Sequence, residues 1–423
     1  IIVRGMGGDR VMMIKDGMRM NEGYGADGAN DVVGRGFVDM ETIKQVEVAK
    51  GANSSLYGAD ALGGIVAFAT KDAADLLRGE SFYTSVSMDT DGRSSEFGAG
   101  ILTAFKLGNF ETLVSFKRRD GNETRNFTDE RAHADIESES VLIKTDYIIS
   151  EGRKLTLSAD LYDEDVARPD NGEPKGTYAG LTGWTINFED SADEKKSEAY
   201  RLRYRDSQAD LSFVDTLDIS AYVNTTEQEN LFHLNHDTPP PFGVGGSRDQ
   251  IKTDLFEQET TGVSLSASKH FGDSGSSHLL SYGFDWDVSE TIRPRQEQRI
   301  QSNGTVIMDT SLAPFPKNET TRLGIYLQDT IELGENLTLI PGLRYDHYSM
   351  DPKDDEGYNN ALGDTGISPE KISDSNVSGR LGVNYSISGN ADLYVCLLYT
   401  SPSPRDCVSN LVCRLLLEKG GGG

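Results

Sequence analysis

From Phe82 onward, apolar positions recur at every second residue. Phe82, Thr84, Val86 and Met88 alternate with Tyr83, Ser85 and Ser87; Phe97, Ala99, Ile101, Thr103 and Phe105 follow, then Phe110, Thr112, Val114 and Phe116. Later stretches are cleaner: Tyr200, Leu202 and Tyr204 face away from Arg201, Arg203 and Arg205, and Leu280, Tyr282, Phe284, Trp286 and Val288 face away from Ser281, Gly283, Asp285 and Asp287. Period two with one apolar and one charged face predicts strands lying between two different media. Thirteen such segments are predicted, near 82–90, 96–106, 110–118, 139–149, 154–163, 198–206, 215–225, 259–271, 278–289, 320–333, 337–348, 377–387 and 391–396.

Their connections alternate in length. Leu107 to Asn109, Ser150 to Arg153, Ser207 to Val214, Gly272 to Ser277, Gly334 to Asn336 and Ser388 to Asn390 are short. Arg119 to Ser138, Glu164 to Ser197, Thr226 to Gln258, Glu290 to Glu319 and Ser349 to Asn376 are long, and within that set only Thr90 to Ser95 is brief. All short turns therefore fall at one end of the sheet, the asymmetry of a transmembrane barrel with short periplasmic turns and long outer loops. Charge direction agrees, because an Arg facing lipid at mid-membrane costs about 2–4 kcal/mol whereas one facing a wet interior costs little. The competing reading is an antiparallel soluble β-domain, which gives turn signals without that one-sidedness.

The first eighty residues follow another pattern, short apolar runs broken by Gly: VRGMGGDRVMMIKDG from Val3, and VEVAKGANSSLYGADALGGIVAF from Val46 to Phe68. With VRG, the DG after a strand, SSLYGADALGG and the ending Lys71-Asp72-Ala73-Ala74-Asp75-Leu76-Leu77, this part resembles the second half of the plug domain of TonB-dependent outer-membrane receptors, most similar to the haem and haemoglobin branch. The resemblance implies a mainly β fold: a partial transmembrane antiparallel β-barrel, about 13 of 22 strands, with the C-terminal half of an α+β plug. The domains expected are 1–80 plug, 81–396 barrel and 397–423 a non-native tail. In that last stretch the alternation gives way to LLYTSPSPRDCVSNLVCRLLLEKGGGG, which also holds two of the three cysteines, Cys407 and Cys413, beside Cys396. They are not read as a disulfide or metal framework. The chain opens at Ile1 inside a motif, so a signal, an energy-coupling box and the first half of the plug are expected to precede it.

Composition narrows the partners. A formal net charge of -27 argues against nucleic acid, whose phosphates demand a basic surface. No apolar run reaches the length of a membrane helix, and a mean hydropathy of -0.46 does not decide between a soluble chain and a barrel. DTDG at Asp89 lacks the later ligands of a calcium loop, GMGGDR lacks the GK[ST] of a phosphate loop, and no GxSxG or HExxH occurs, so no catalytic residue and no resident metal site is expected.

The resemblance implies a receptor and transporter, not an enzyme. Its long loops and plug apex would capture haem or haem from haemoglobin, or a ferric siderophore, with no intrinsic cofactor. Its partners would be outer-membrane lipid, an inner-membrane energy-transducing TonB complex and a haem-carrier protein. A surface β-rich adhesin is the alternative from another class. Candidate ligand residues are His233 and His236, an HxxH pair assigned to a long outer loop, with His133 and Tyr24 in others. His347 suits the membrane interface, and His270 and His278 flank a short turn on the far side. The plug stretch Met18 to Asp39 has no His, which weighs against haem. For polar contacts between plug and barrel the candidates are Arg4, Asp16, Arg19, Glu47 and Lys50 on one side. On the other are the inward Arg201, Arg203, Arg205, Lys144, Asp146, Arg344, Asp346 and Arg380.

Overall fold

A computed structural model describes residues 2–3, 6–7, 11–20, 38–50, 64–123, 134–169, 185–238, 246–273, 275–362, 369–388, 391–399 and 411–419. A short pair, β1 (Ile2–Val3) and β2 (Met6–Gly7), precedes a small sheet of β3 (Val11–Lys15), β4 (Met18–Arg19), β5 (Ile43–Lys50) and β6 (Gly64–Thr70). Its order is β4-β3-β6-β5, with β3 and β6 parallel and the other pairs antiparallel. Val11, Met13, Val66 and Phe68 form its core, against which Met20, Val38 and Ile43 pack. Asp16 and Gly17, at φ 52° and 86°, make the two-residue turn between β3 and β4, a turn that needs positive φ at both positions. The helix α1 (Ala73–Leu77) follows β6, with Asp72 N donating to Asp75 Oδ2 at 2.8 Å across its first turn.

The rest is one large antiparallel sheet. It runs through β7 (Phe82–Asp91), β8 (Glu96–Leu107), β9 (Phe110–Asn122), β10 (Asp135–Ser150), β11 (Arg153–Arg168), β12 (Thr185–Asp206), β13 (Thr216–Thr238), β14 (Gly246–Gly272) and β15 (Ser276–Ile292). Then come the hairpin β16 (Arg295–Gln301) and β17 (Val306–Leu312), and β18 (Asn318–Leu333), β19 (Leu337–Pro352), β20 (Ile372–Ser388), β21 (Ala391–Tyr399) and β22 (Leu411–Lys419). Each wall strand pairs with its sequence neighbour, β15 passing to β18 while β16 adds to β14 above it. Thirteen of these, β7 to β15 and β18 to β21, are the thirteen segments the alternation predicts.

The faces are inverted relative to a water-soluble sheet. Ile101, Tyr200, Leu202, Trp286, Ile325, Leu327 and Leu343 are exposed on the outside, while Lys117, Ser158, Arg201, Thr260, Ser289 and Arg344 are buried inside. Pairing on both sides satisfies the backbone of the strands between the two sheet edges, β7 and β22, and the outward apolar side chains suit lipid, the two demands of a bilayer-spanning wall.

The structure differs from the sequence reading above the membrane. β12, β13 and β14 run 22, 23 and 27 residues, and the stretch expected as a loop between Glu290 and Glu319 holds the β16–β17 hairpin. These extensions carry polar residues on both faces, so apolar alternation does not mark them; their pairing rests on backbone hydrogen bonds to neighbours that extend equally far. A short helix α2 (Glu356–Leu362) lies in the connection after β19. The stretch 411–419, which lacks strand period, still pairs with β21, because a sheet edge recruits backbone groups whatever the side-chain pattern.

Inside the wall, Gly262 on β14 stands opposite Tyr222 on β13, and a Cβ there would overlap the Tyr222 ring. The ring lies across the glycine and reaches Met18 of the small sheet. Gly262→Ala is expected to destabilise the folded protein by about 1–3 kcal/mol, the cost of overpacking, read as a lower temperature for loss of the heat-modifiable folded band. The same change in a Tyr222→Ala background should cost clearly less.

Candidate functional site

The small sheet and α1 sit against the concave face of β8 to β13, and their contacts form the best-defined site in the molecule. One part is apolar: Ala73 and Leu77 of α1 pack on Ala104, Leu113 and Leu142 of the wall, with Leu76 and Leu102 beside them, and Met18 packs on Ala199 and Tyr222. The remainder is electrostatic. At the β3–β4 turn Thr70 donates through N and Oγ1 to Asp16 Oδ1 and Oδ2, at 3.0 and 2.6 Å. Lys144 of β10 then donates to Thr70 Oγ1 at 2.9 Å and pairs with Asp72 at 2.7 Å, standing 3.7 Å from Asp16. Arg201 of β12 comes to 3.9 Å from the same carboxylate. Lys15 pairs with Asp160 of β11 at 2.6 Å, and Asn224 of β13 reaches the Arg19 carbonyl at 3.4 Å.

A second cluster lies nearer the β7–β8 connection. Asp39, only 3% exposed, accepts from Arg119 Nη2 at 2.9 Å and from the Ser140 hydroxyl. Glu41 pairs with Lys117 at 2.8 Å, and Lys117 also holds Asp89. Ser140 and Lys144 are four residues apart on one face of β10, so a single strand serves both clusters.

These contacts set the carboxyl protonation. Burial works against the Asp72 carboxylate, but the ammonium groups of Lys144 and Lys44 outweigh it and hold its carboxyl well below the usual range. Asp16 is likewise lowered, burial being exceeded by Lys144, Arg201 and the Thr70 hydrogen bonds. So is Asp39, through Ser140, the Glu41 amide and Arg119.

A barrel wall with a small domain docked inside it by yielding polar contacts is the arrangement expected of a plugged receptor, and comparison with known proteins agrees. The family model described as TonB dependent receptor-like, beta-barrel matches residues 143–395, and that of the TonB-dependent Receptor Plug Domain matches residues 1–65. The chain belongs to the TonB-dependent receptor family. Among similar proteins, a hemin receptor of Yersinia pestis is 27% identical over 353 residues, covering 82% of this chain and 45% of that protein. The receptor chain thus spans about half the length of such relatives. Among solved structures, the FrpB iron transporter of Neisseria meningitidis superposes with a TM-score of 0.67 at 20% identity, over 95% of this chain and 59% of that one. A double mutant of the Serratia marcescens hemophore receptor HasR, in complex with its hemophore HasA and heme, gives 0.67 at 16% identity, over 95% and 57%.

Of the polar contacts proposed from the receptor's sequence, Asp16, Arg201 and Lys144 meet at the plug–wall interface, and Arg19 meets it through its carbonyl. Arg203 and Arg205 instead pair with Asp218, Asp146 with Lys154, and Arg344 with Asp285 and Asp346, all within the wall. Neighbouring inward positions in a sheet are closer to each other than to the plug, so wall carboxylates capture these arginines first. Arg380 reaches the Tyr394 hydroxyl at 3.3 Å, and Glu47 is exposed and accepts from Gln45 of its own strand at 2.9 Å. Arg4, Tyr24, His133 and the Lys50 side chain lie outside the described residues. Sequence reasoning missed Lys15, Asp39, Asp72, Lys117, Arg119, Ser140 and Asp160. The wall members carry the inward parity that could have found them; Asp39 and Asp72 follow no period.

The HxxH pair is corrected. His233 and His236 are not in a loop but in β13, each registered against β12 and β14. Three residues apart on a strand, they point to opposite faces and do not converge on one metal. His233 lies outward, its Nε2 at 2.9 Å from Asp249 Oδ1 and its ring edge-on to Phe188. His236 lies inward and buried, and burial with the Arg248 charge lowers its pKa from 6.5, leaving a neutral imidazole. Among the described residues Asp163, Asp165 and Glu194 bring ligand atoms within 4.8 Å of one another on the outer face of the upper wall; Lys196 stands opposite Asp163 as countercharge, and the group carries no metal assignment.

Because Asp16, Asp39 and Asp72 titrate below their ordinary 3.8 when docked, their contribution to plug attachment is complete above that range and is lost as pH falls through the docked values. Melting temperature against pH should therefore be flat near neutrality and fall in acid. Lys144→Met is expected to lower stability by about 1–3 kcal/mol at pH 7, since it leaves Asp72 with Lys44 alone and removes the nearer cation from Asp16, and to flatten the acid limb.

Proposed function

We propose that this receptor imports haem, free or taken from haemoglobin or a haem-carrier protein, across the bacterial outer membrane. The observation that carries the reading is the similarity to a hemin receptor over 82% of the chain, through plug and wall alike. His236 supports it, because haem iron takes a neutral imidazole and this one is inward facing, on the extension of β13 beyond its membrane segment. In this reading an inner-membrane TonB complex driven by proton-motive force pulls on the plug, whose hydrogen-bonded ion pairs exchange for water one at a time, and the ligand passes to the periplasm. No bond is made or broken, so the protein acts as a transporter and not an enzyme.

Iron-starved cells relying on the intact receptor should grow on haemin, and purified receptor should shift the haemin absorbance band. His236→Ala is expected to weaken haemin binding about tenfold or more, and His233→Ala to leave it within twofold. Growth on a ferric siderophore but not on haemin would sink the haem reading, and equal effects of the two substitutions would remove His236 from it.

A further inference from the structure

Lys144, Ser158 and Arg201 stand in one cross-strand row. Lys144 on β10 is registered with Ser158 on β11, and Ser158 with Arg201 on β12, all three on the lumen face and all buried. Continuing the row, Arg201 is registered with Tyr222, which closes it on the far side. Two of the three members are cations, and the acceptors facing them come from the plug: Asp16, Asp72 and Thr70.

The two cations are served unequally. Lys144 has Asp72 and Thr70 at hydrogen-bond distance. The Arg201 side chain is only 2% exposed, yet its nearest carboxylate is 3.9 Å away and its Nε has no hydrogen-bond partner. A guanidinium withdrawn from water with a donor unmet is costly, and its fork matches a carboxylate in a way Asp16 does not exploit. Asp16 is held back by its own plug, since both its oxygens accept from Thr70 and it sits at the tip of a tight turn.

We propose that Lys144, Ser158 and Arg201 form a carboxylate-binding station in the lumen wall, which Asp16 of the plug occupies at rest and the carboxylate groups of an anionic cargo occupy in transit. When the plug moves, Asp16, Asp72 and Lys15 leave together because β3, β6 and α1 are one unit, and Lys144 and Arg201 would lose their plug acceptors, with Asp160, released by Lys15, as the one diagonal wall carboxylate shared between two cations. A passing carboxylate takes Arg201 through its fork, with Lys144 and the Ser158 hydroxyl as further donors. The station then serves both to reseat the plug and to attract cargo. The transit half of the proposal rests on the haem reading, haem being a dicarboxylate; the binding half does not.

The binding half is tested on the purified intact receptor by chemical rescue. Asp16→Ala should lower the melting temperature, and replacing chloride by acetate at constant ionic strength should restore at least half of the loss, with no such gain in wild type or in Asp16→Ala/Arg201→Gln. A folded Asp16→Ala receptor that responds equally to acetate and chloride overturns the station. The transit half is tested in energised cells with haemin and haemin dimethyl ester, using the ratio of their uptake so that any loosening of the plug cancels. Arg201→Gln is expected to lower the haemin-to-ester ratio about tenfold, and Arg201→Lys to recover part of it. An unchanged ratio overturns the role in transit. Absence of haemin binding by wild type would instead overturn the haem reading, leaving the acetate experiment to decide the station.

Discussion

The constraint from which the rest follows is that a sheet crossing lipid has nowhere to put charge except inward. From β8 to β21 each wall strand is hydrogen-bonded to a strand on either side, and the outward positions that meet lipid must be apolar. The polar half of each strand is therefore concentrated in a lumen, where Lys117, Lys144, Arg201 and Arg344 are almost wholly buried. A charge in such a place must find a partner. Arg203 finds a carboxylate on the adjacent strand, and Arg344 reaches across Gly324 to Asp285 two strands away and to Asp346 on its own strand, whereas Lys117, Lys144 and Arg119 reach the plug. Whether an inward cation braces the wall or holds the plug turns on whether a diagonal wall carboxylate is free to pair with it. Asp218 on the adjacent strand pairs with Arg203, while Asp160, diagonal to Lys144, is taken by Lys15 of the plug.

That distinction explains what was legible in the sequence. Parity alone separates Tyr200 and Leu202 from Arg201 and Arg203, and the thirteen wall strands with their short and long connections follow from it. Parity does not say which inward residue faces a plug carboxylate, because that depends on register between strands distant in sequence. Asp39 and Arg119 are 80 residues apart and Asp16 and Lys144 further still, and no local pattern links them. The misplacement of His233 and His236 has a different cause. Above the bilayer both faces of β13 meet polar surroundings, so the apolar alternation fades although the strand continues, and an HxxH pair that suits a turning loop is split by the pleat onto opposite sides. DG at Asp16 and Gly17 shows the opposite case, a local signal sufficient by itself, since both positions require the left-handed region that Asp and Gly tolerate.

The net charge of -27 also takes on a location. On the outer face of the upper wall Glu137 stands opposite Asp165, Asp165 opposite Glu194 and Glu194 opposite Glu229. Like charges in directly opposed positions weaken a sheet unless countercharges or water intervene. Here Arg118 bridges Glu137 and Glu139, and Lys196 pairs with Glu194. Such a row is tolerable only where water has access, which marks the level at which the wall leaves lipid; below it the same outward positions are Leu157, Tyr200 and Leu202.

The two kinds of contact between plug and wall differ in how they yield. The apolar patch of Ala73 and Leu77 on Ala104, Leu113 and Leu142 is small, contributing a few kcal/mol at about 25 cal/mol per Å² of buried apolar surface, and it is lost as soon as α1 lifts by the thickness of a water layer. The ion pairs resist displacement differently. Each is directional and has a high gross energy in a partly dry interface, but its net worth against water is modest, so water entering an opened seam replaces it at little net cost. A plug fixed by a larger apolar interface would be as stable at rest and would expose that whole surface to the lumen on leaving. One fixed by ion pairs leaves behind a polar wall that entering water can hydrate.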